Sequence, residues 1–130
     1  RDEFFREDFV ARGILGQDLE RGALIVGGIP RQGQTIQFLV RSRGEASDDL
    51  YARLDTIQQI QQPIVGALLS TCKGRGSNMF NRNDHDAQAV SKSLPEVPMI
   101  GLYSLGGLGP VRGGPAYNAF AVSLGLIVER

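Results

Sequence analysis

The sequence IVGALLSTCKGRGS occupies residues 64–77 and decides how the fold can be arranged. Its first six residues are apolar at both odd and even positions, which predicts a central strand that is covered on both faces. The polar part that follows, residues 70–77, contains two glycines and predicts a turn at the carboxyl end of this strand. Ligands of open α/β sheets bind at that end, so this turn is the first candidate for a binding site.

A strand–helix–strand unit extends downstream from this turn. Apolar residues at helical spacing predict a helix over residues 84–94, and Pro95 ends it. Residues 99–103, MIGLY, predict the next strand. Because such a unit almost always forms a right-handed crossover, the two strands should be parallel. The last predicted strand, residues 117–128, follows a loop that is too short for another crossover helix and should be antiparallel.

The region before the central strand contains both strand and helix patterns. Apolar runs on both sides of the polar residues 17–21 predict a β-hairpin. Residues 36–40 alternate apolar and polar side chains, which predicts a strand with one buried face. Ser47 is expected to cap a helix with one apolar stripe. That stripe consists of Leu50, Leu54 and Ile57. Together the patterns predict an α+β fold, with a mixed, largely antiparallel sheet, one βαβ crossover and two helices packed on it.

The composition is that of an ordinary globular domain with an excess of glycine. Of 130 residues, 17 are glycine, charged residues make up 22%, and the formal net charge is zero. Balanced charge removes the electrostatic argument for nucleic-acid binding, which needs a surplus of lysine and arginine. With one cysteine and one histidine, the chain can form neither an internal disulfide nor a Cys/His zinc site. Without a signal peptide or a membrane span, we expect a single domain, residues 1–130, trimmed from a longer protein.

The segment of residues 72–78, CKGRGSN, can hold a ligand through its backbone. Gly74 and Gly76 allow amide groups to face a bound anion. Arg75 can bind a carboxylate or phosphate through two parallel hydrogen bonds. The alternative for the same residues is a tight turn in which Arg75 makes a structural salt bridge. The spacing of a phosphate-binding Walker loop is absent.

A second glycine-rich segment, residues 106–114, follows the predicted strand that ends at Tyr103, and five of its nine residues are glycine. The spacing from Gly109 to Gly113, with a strand afterwards, excludes a dinucleotide-binding turn, which needs a helix there. The segment is either a mobile connection or backbone that lies against a ligand, with Arg112 as a charged contact. If the two predicted strands are neighbours, both glycine segments border one cleft.

Neither His85 nor Cys72 belongs to a pattern that predicts catalysis. A general base at His85 needs a nucleophile and an orienting group, and the sequence indicates neither. A histidine at a helix end is the simpler interpretation, and a haem ligand is a remote alternative. Cys72 lies near two cations that favour a thiolate, but a buried thiol at a strand end is again simpler. We therefore expect no enzyme activity, no metal site and no cofactor.

Both glycine segments resemble the C-terminal half of the FIST domain, which is named after F-box and intracellular signal transduction proteins. The similar stretches are GALLSTCKGRG (residues 66–76), Met79-Phe80, His85-Asp86, VPMIGLY (residues 97–103) and Gly109-Pro110-Val111. The resemblance extends over about residues 8–128. A Cys-x-Gly-Arg-Gly segment with a Gly-Pro at this distance downstream is fairly specific for the family.

The resemblance implies a sensory domain for small ligands in intracellular signal transduction, with amino acids as the ligands usually proposed and no catalytic reaction. It implies a cytoplasmic location, or an organellar stroma if a transit peptide has been removed. It also implies a partner, either an N-terminal FIST half that is absent from this chain or another protein domain.

Two positions depart from the family pattern. Gly107 stands where the family has a glutamate, and Asn118 stands where it often has a histidine. The amino group of an amino-acid ligand would lose its counter-charge at such a site. A degenerate FIST half that acts as a structural or protein-interaction subunit of a larger assembly is therefore the alternative to a ligand sensor.

The expected site is a cleft between the two glycine segments that binds a small, anionic or amino-acid-like ligand. The expected ligand-binding residues are Cys72, Gly74, Arg75, Gly76, Asn78, Tyr103, Gly107, Gly109, Arg112 and Asn118.

Overall fold

The computed structural model describes residues 9–111 and 114–130, in which helices pack on a small mixed sheet beside two separate hairpins. The strands are β1 (Ile14–Asp18), β2 (Ala23–Val26), β3 (Ile64–Cys72), β4 (Met99–Ser104), β5 (Gly107–Val111), β6 (Gly114–Asn118) and β7 (Val122–Val128). The helices are α1 (Arg43–Ile57), α2 (Ser77–Phe80) and α3 (His85–Ser93), and a 3-10 turn spans Lys73–Arg75. This content confirms the α+β class. No described helix has the length and apolar character that crossing a membrane requires.

The central sheet has the strand order β4-β3-β7. β3 is parallel to β4, with Ala67 opposite Met99, and α3 lies between the two strands in the sequence. β3 is antiparallel to β7, with Leu69 opposite Leu124. Both pairings confirm the predicted directions of the strand–helix–strand unit and of the last strand.

The core lies between one face of this sheet and the helices α1 and α3. Its buried members are Leu50, Leu54, Leu69, Ala89 and Val90. Ile57 packs against this cluster and is partly buried, so the apolar stripe predicted for the first helix is confirmed.

The opposite face of the central sheet is exposed, because the described residues do not supply the second covering layer that the sequence predicts for β3. Leu68 on β3 and its neighbours Ile100 and Leu102 on β4 are more than half exposed. The helices of the described residues form a layer on one side only, because α1 and α3 both pack on the face that carries Leu69.

Helix α1 starts earlier than predicted, since its N-cap is Ser42 and not Ser47. The Ser42 Oγ accepts a hydrogen bond from the amide of Glu45 at 3.3 Å. Ser42 has the extended backbone conformation that an N-cap requires, with φ −98° and ψ 130°. Ser47 consequently lies inside the helix, where its hydroxyl contacts His85 of α3.

Residues 36–40 do not form the predicted strand. Ile36, Phe38 and Val40 are all largely exposed, so the expected buried face does not exist. Alternation describes the side chains alone, whereas a strand also needs a partner for its backbone hydrogen bonds. These residues pair with none of the described strands.

Two hairpins accompany the central sheet. β1 and β2 form the hairpin predicted around residues 17–21, with Asp18 opposite Ala23. The segment predicted as a loop is instead largely a second hairpin, in which Gly107 of β5 lies opposite Asn118 of β6. The predicted single strand over residues 117–128 is therefore wrong. It is interrupted at Phe120, whose φ of 58° lies in the left-handed region and cannot continue a strand.

Candidate functional site

The two glycine segments begin at adjacent strand ends. β3 and β4 are parallel neighbours, and their last residues, Cys72 and Ser104, lie opposite each other. Cys72 is buried, and its thiol lies 3.7 Å from the carbonyl oxygen of Leu105. The two strands are thus neighbours, which is the condition for a shared site. We call the region around these strand ends the carboxyl edge.

Arg75 binds a carboxylate of its own chain. Its Nε and Nη2 donate to the two carboxylate oxygens of Asp86 at 2.7 and 2.9 Å. Nη2 also lies 3.4 Å from the carbonyl oxygen of Ala46 in α1. The side chains of Arg75 and Asp86 are only 7% and 2% exposed. This bidentate pair is the structural salt bridge, the alternative to ligand binding for Arg75, and it joins the 3-10 turn to α3 and α1.

Asp86 is a fixed negative charge beneath the carboxyl edge. Burial alone raises the pKa of its carboxyl group, because desolvation penalises the charged form. Hydrogen bonds and positive charge from Arg75 and His85 outweigh burial, so the pKa is lowered from its ordinary value of 3.8. The carboxylate is therefore ionised at neutral pH.

Tyr103, the next-to-last residue of β4, remains a neutral phenol at neutral pH. Desolvation raises its pKa, and the negative charges of Asp86 and Asp84 raise it further. Half of the side chain is exposed. Opposite Tyr103 on β3 lies Thr71, which is buried and whose Oγ1 has no hydrogen-bond partner among the residues that the structure describes. At the carboxyl edge, the hydroxyl group of Thr71 beside Tyr103 is therefore still able to form a hydrogen bond.

His85 is held by partners on three sides. The Oγ of Ser47 lies 3.1 Å from its Nε2, an oxygen of Asp86 lies 2.9 Å from its Nδ1, and the Phe80 ring stacks on it with centroids 3.6 Å apart. Both ring nitrogens are engaged, so in this conformation neither can coordinate a haem iron. Sequence reasoning missed Ser47 as a partner because it lies 38 residues away, on α1.

The order of these hydrogen bonds, Ser47 to His85 to Asp86, is that of a nucleophile, a base and an orienting carboxylate. The sequence indicated neither a nucleophile nor an orienting group, and the structure places a candidate for each. Asp86 also accepts the bidentate contact from Arg75. The chain of hydrogen bonds therefore connects α1 with α3 and, through Arg75, with the 3-10 turn.

Intrachain contacts fill the first glycine segment. A Cβ at Gly74 would overlap the ring of Phe120, and the guanidinium carbon of Arg41 lies 4.2 Å from the centre of that ring. The amide of Gly76 donates to a carbonyl oxygen of the 3-10 turn at 3.1 Å. Asn78 is exposed on α2. Gly74 is therefore required for close packing of an aromatic side chain.

The second glycine segment leaves space at Gly107 and Gly109, whereas a Cβ at Gly106 would overlap the ring and hydroxyl of Tyr117. Among the described residues other than its chain neighbours, the heavy atom nearest to a Cβ built at Gly107 is the Oγ of Ser123, at 3.9 Å. At Gly109 the nearest such atom is the Nδ2 of Asn118, at 4.0 Å. Arg112 lies outside the described residues. At Gly107 and Gly109 a ligand could approach the backbone without displacing a side chain.

A row of three serines, which the sequence analysis did not identify, crosses the sheet at the carboxyl edge. Ser123 on β7 lies opposite Ser70 on β3, and the Oγ of Ser70 lies 3.4 Å from the Oγ of Ser104 on β4. The three hydroxyl groups thus point to the same face, one from each strand. Each serine is isolated in the sequence, and the strand register alone brings the three together.

The chain is similar to a known domain family and to two mycobacterial proteins. A family model described as the FIST C domain matches residues 1–110. An uncharacterized protein of Mycobacterium tuberculosis (strain H37Rv) is 39% identical over 123 residues, and one of Mycobacterium bovis is 37% identical over 123 residues. Each match covers 94% of this chain and 32% of the relative, so the chain spans about one third of the length of these curated relatives. No solved structure matches the chain.

Proposed function

Because the chain belongs to the FIST C domain family, we propose that it is a sensory domain of signal transduction that binds a small ligand at the carboxyl edge and catalyses no reaction. The family supports the sensory role. One observation supports the position of the ligand. The two glycine segments leave the ends of adjacent parallel strands, where Cys72 and Leu105 are in contact.

The second glycine segment is the part of the edge that best suits a ligand. Gly107 and Gly109 have open space where other residues carry a side chain. Asn118 and Ser123 border that space and supply an amide and a hydroxyl group. Such groups both donate and accept hydrogen bonds, and they fix the orientation of a small polar molecule. An amino-acid-like molecule or a small carboxylate fits this set of contacts.

In this proposal Arg75 is a positioning residue. The side of its guanidinium that carries Nε and Nη2 is occupied by the buried carboxylate of Asp86, which makes two short hydrogen bonds there. By holding Asp86 and Ala46, Arg75 fixes the 3-10 turn against both helices. The ligand is then bound by neutral hydroxyl and amide groups and by exposed backbone, and Arg112 is an additional candidate contact.

Substitution of Gly107 tests this site with little risk to the fold. We expect the chain to bind one or more members of a panel of amino acids and small carboxylates, detected by thermal shift and measured by calorimetry. Gly107→Ala should weaken the best binder about tenfold or more, because a methyl group would occupy the space next to the backbone. Apart from its chain neighbours, no heavy atom of the described residues lies closer than 3.9 Å to the new Cβ, so the melting temperature should stay close to that of the wild type.

The matched control is Gly16→Ala on β1, which belongs to a separate two-stranded sheet. The new Cβ there would be 3.7 Å from Ile25. Its affinity for the same compound should equal that of the wild type. Unchanged affinity of Gly107→Ala would show that the ligand does not lie at this glycine. If no compound of the panel binds, the sensory proposal loses its support.

The second candidate function is that of a structural or protein-interaction subunit, a FIST half whose site has degenerated. It is favoured by Gly107 and Asn118, which replace the acid and the imidazole of the family pattern. Light scattering, which measures the mass of the complex that the natural protein forms, distinguishes the two functions. A subunit of this kind would remain in a stoichiometric complex and would not respond to the ligand panel.

A further inference from the structure

The central sheet has one covered face and one open face. The strand register places Leu68, Ile100, Leu102 and Ile127 on the side opposite the helices, the same side that carries the three serines. These four residues, which we call the open face, are 54%, 69%, 63% and 51% exposed. They extend across all three strands, so they form a continuous patch and not isolated surface positions.

The sequence of the sheet is not that of a solvated face. β3, β4 and β7 contain no charged residue. Strands with one face in water normally alternate apolar and charged or polar residues, whereas strands buried on both faces are apolar throughout. Away from the serines of the carboxyl edge, the sheet therefore has the composition of a middle layer, although the described residues supply only one covering layer.

We infer that the open face is covered by an apolar layer that the same polypeptide carries outside these 130 residues. The relatives support this occupant, because this chain spans only 32% of their length. A covalently connected layer has an effective concentration of about a millimolar, which gives it an advantage over a separate molecule at cellular concentration. The uncharged face calls for an apolar partner surface, since a charged one would lose its hydration without gaining an ion pair.

The edge of β4 supports the same conclusion. β4 is the outer strand on one side of the sheet, and the described residues provide no strand to pair with its free edge. An outer strand that carries exposed Ile100 and Leu102 would promote aggregation if it remained uncovered. A covering layer from the same polypeptide removes that exposure. The inference does not depend on the proposed ligand, which lies at the carboxyl edge.

Carbene footprinting of the natural polypeptide that contains this chain tests the inference without any substitution. A photolysed diazirine labels accessible side chains, and mass spectrometry locates the label. The controls are Leu19 and Ile29, which lie outside the central sheet and are 81% and 95% exposed. We expect Ile100 and Leu102 to be labelled about fivefold more weakly than these controls, because a packed interface excludes the reagent as a protein interior does.

Three results are informative. Weak labelling of Ile100 and Leu102 that persists when the polypeptide is diluted to a monomer supports the inference. Protection that disappears on dilution assigns the face to a second copy and overturns it. Labelling equal to that of the controls shows that the face is in water and also overturns it.

As a second measurement, Leu102→Lys should lower the melting temperature of the natural polypeptide by about 5 °C or more, and Leu19→Lys should leave it unchanged.

Discussion

Replacement of Asp86 by alanine tests whether the buried ion pair stabilises the carboxyl edge. The substitution removes two hydrogen bonds from Arg75, at 2.7 and 2.9 Å, and one from His85, at 2.9 Å. Arg75 is almost fully buried, so its guanidinium would lose its counter-charge without gaining water in exchange. The 3-10 turn that carries it would then lose its connection to α3.

The magnitude follows from burial. Because both side chains are less than 8% exposed, screening by solvent does not reduce the interaction as it would at the surface. Removal of one partner of such a pair costs about 3–5 kcal/mol of unfolding free energy, chiefly through the uncompensated charge. For a domain of this size, with an m-value of about 2 kcal/mol per molar urea, the unfolding midpoint should fall by about 2 M.

Urea unfolding followed by far-ultraviolet circular dichroism measures this change. The matched control is Asp49→Ala on α1, where Asp49 Oδ1 lies 4.0 Å from Arg53 Nε and the carboxylate is 49% exposed. That variant should change stability by about 0.5 kcal/mol or less. Equal midpoints for Asp86→Ala and Asp49→Ala would refute the argument that burial makes the first pair strong.

A double variant keeps the test valid if Asp86→Ala does not fold. Arg75→Met removes the charge that Asp86→Ala leaves unpaired, so the double variant should be about 2 kcal/mol more stable than Asp86→Ala alone. If the double variant is less stable than the single one, the uncompensated charge is not the cause of the loss.

Three further predictions concern pH, the first glycine segment and the core. The pKa of Asp86 is lower in the folded chain than its ordinary value of 3.8, so the unfolded chain binds more protons between the two values and stability rises with pH there. The stability that the ionised Asp86 contributes is complete above about pH 5 and is lost as the pH falls below about 4. Urea midpoints measured at several pH values should therefore change less with pH in Asp86→Asn than in the wild type. Gly74→Ala should cost about 1–3 kcal/mol in urea unfolding, because the new Cβ overlaps the Phe120 ring, whereas Gly107→Ala should be nearly neutral, and equal losses would contradict the packing argument. Leu54→Ala should cost about 2–5 kcal/mol in the same assay, since Leu54 is 2% exposed in the core, and a loss below 1 kcal/mol is not expected of a well-packed site.

The parts of the fold that depend on local pattern were predictable. The apolar run of residues 64–69, the helix that follows and the strand at residues 99–103 gave the parallel unit, which occurs as expected. The hairpin around residues 17–21 and the core stripe of α1 are also local features. The predicted strand at residues 36–40 failed because alternation does not reveal whether a partner strand is available.

The candidate site depends more on tertiary contacts. The sequence places Gly74, Arg75 and Gly107 at strand ends, and the structure confirms that these ends are adjacent. It could not show that Arg75 pairs with Asp86, because an arginine in a turn can bind an external anion equally well. Nor could it show that Gly74 is occupied by Phe120, which lies 46 positions later in the sequence.

The sequence by itself determined the class of fold, the strand directions and the family resemblance, because these follow from periodicity, turn residues and short motifs in contiguous stretches of chain. The tertiary structure alone decided which side chains satisfy one another. Ser47 meets His85, Arg75 meets Asp86, and three isolated serines form a row. The physical reason is that buried polar groups must find partners wherever the packed elements bring them, and strand register and helix packing set those positions over distances that no local pattern encodes.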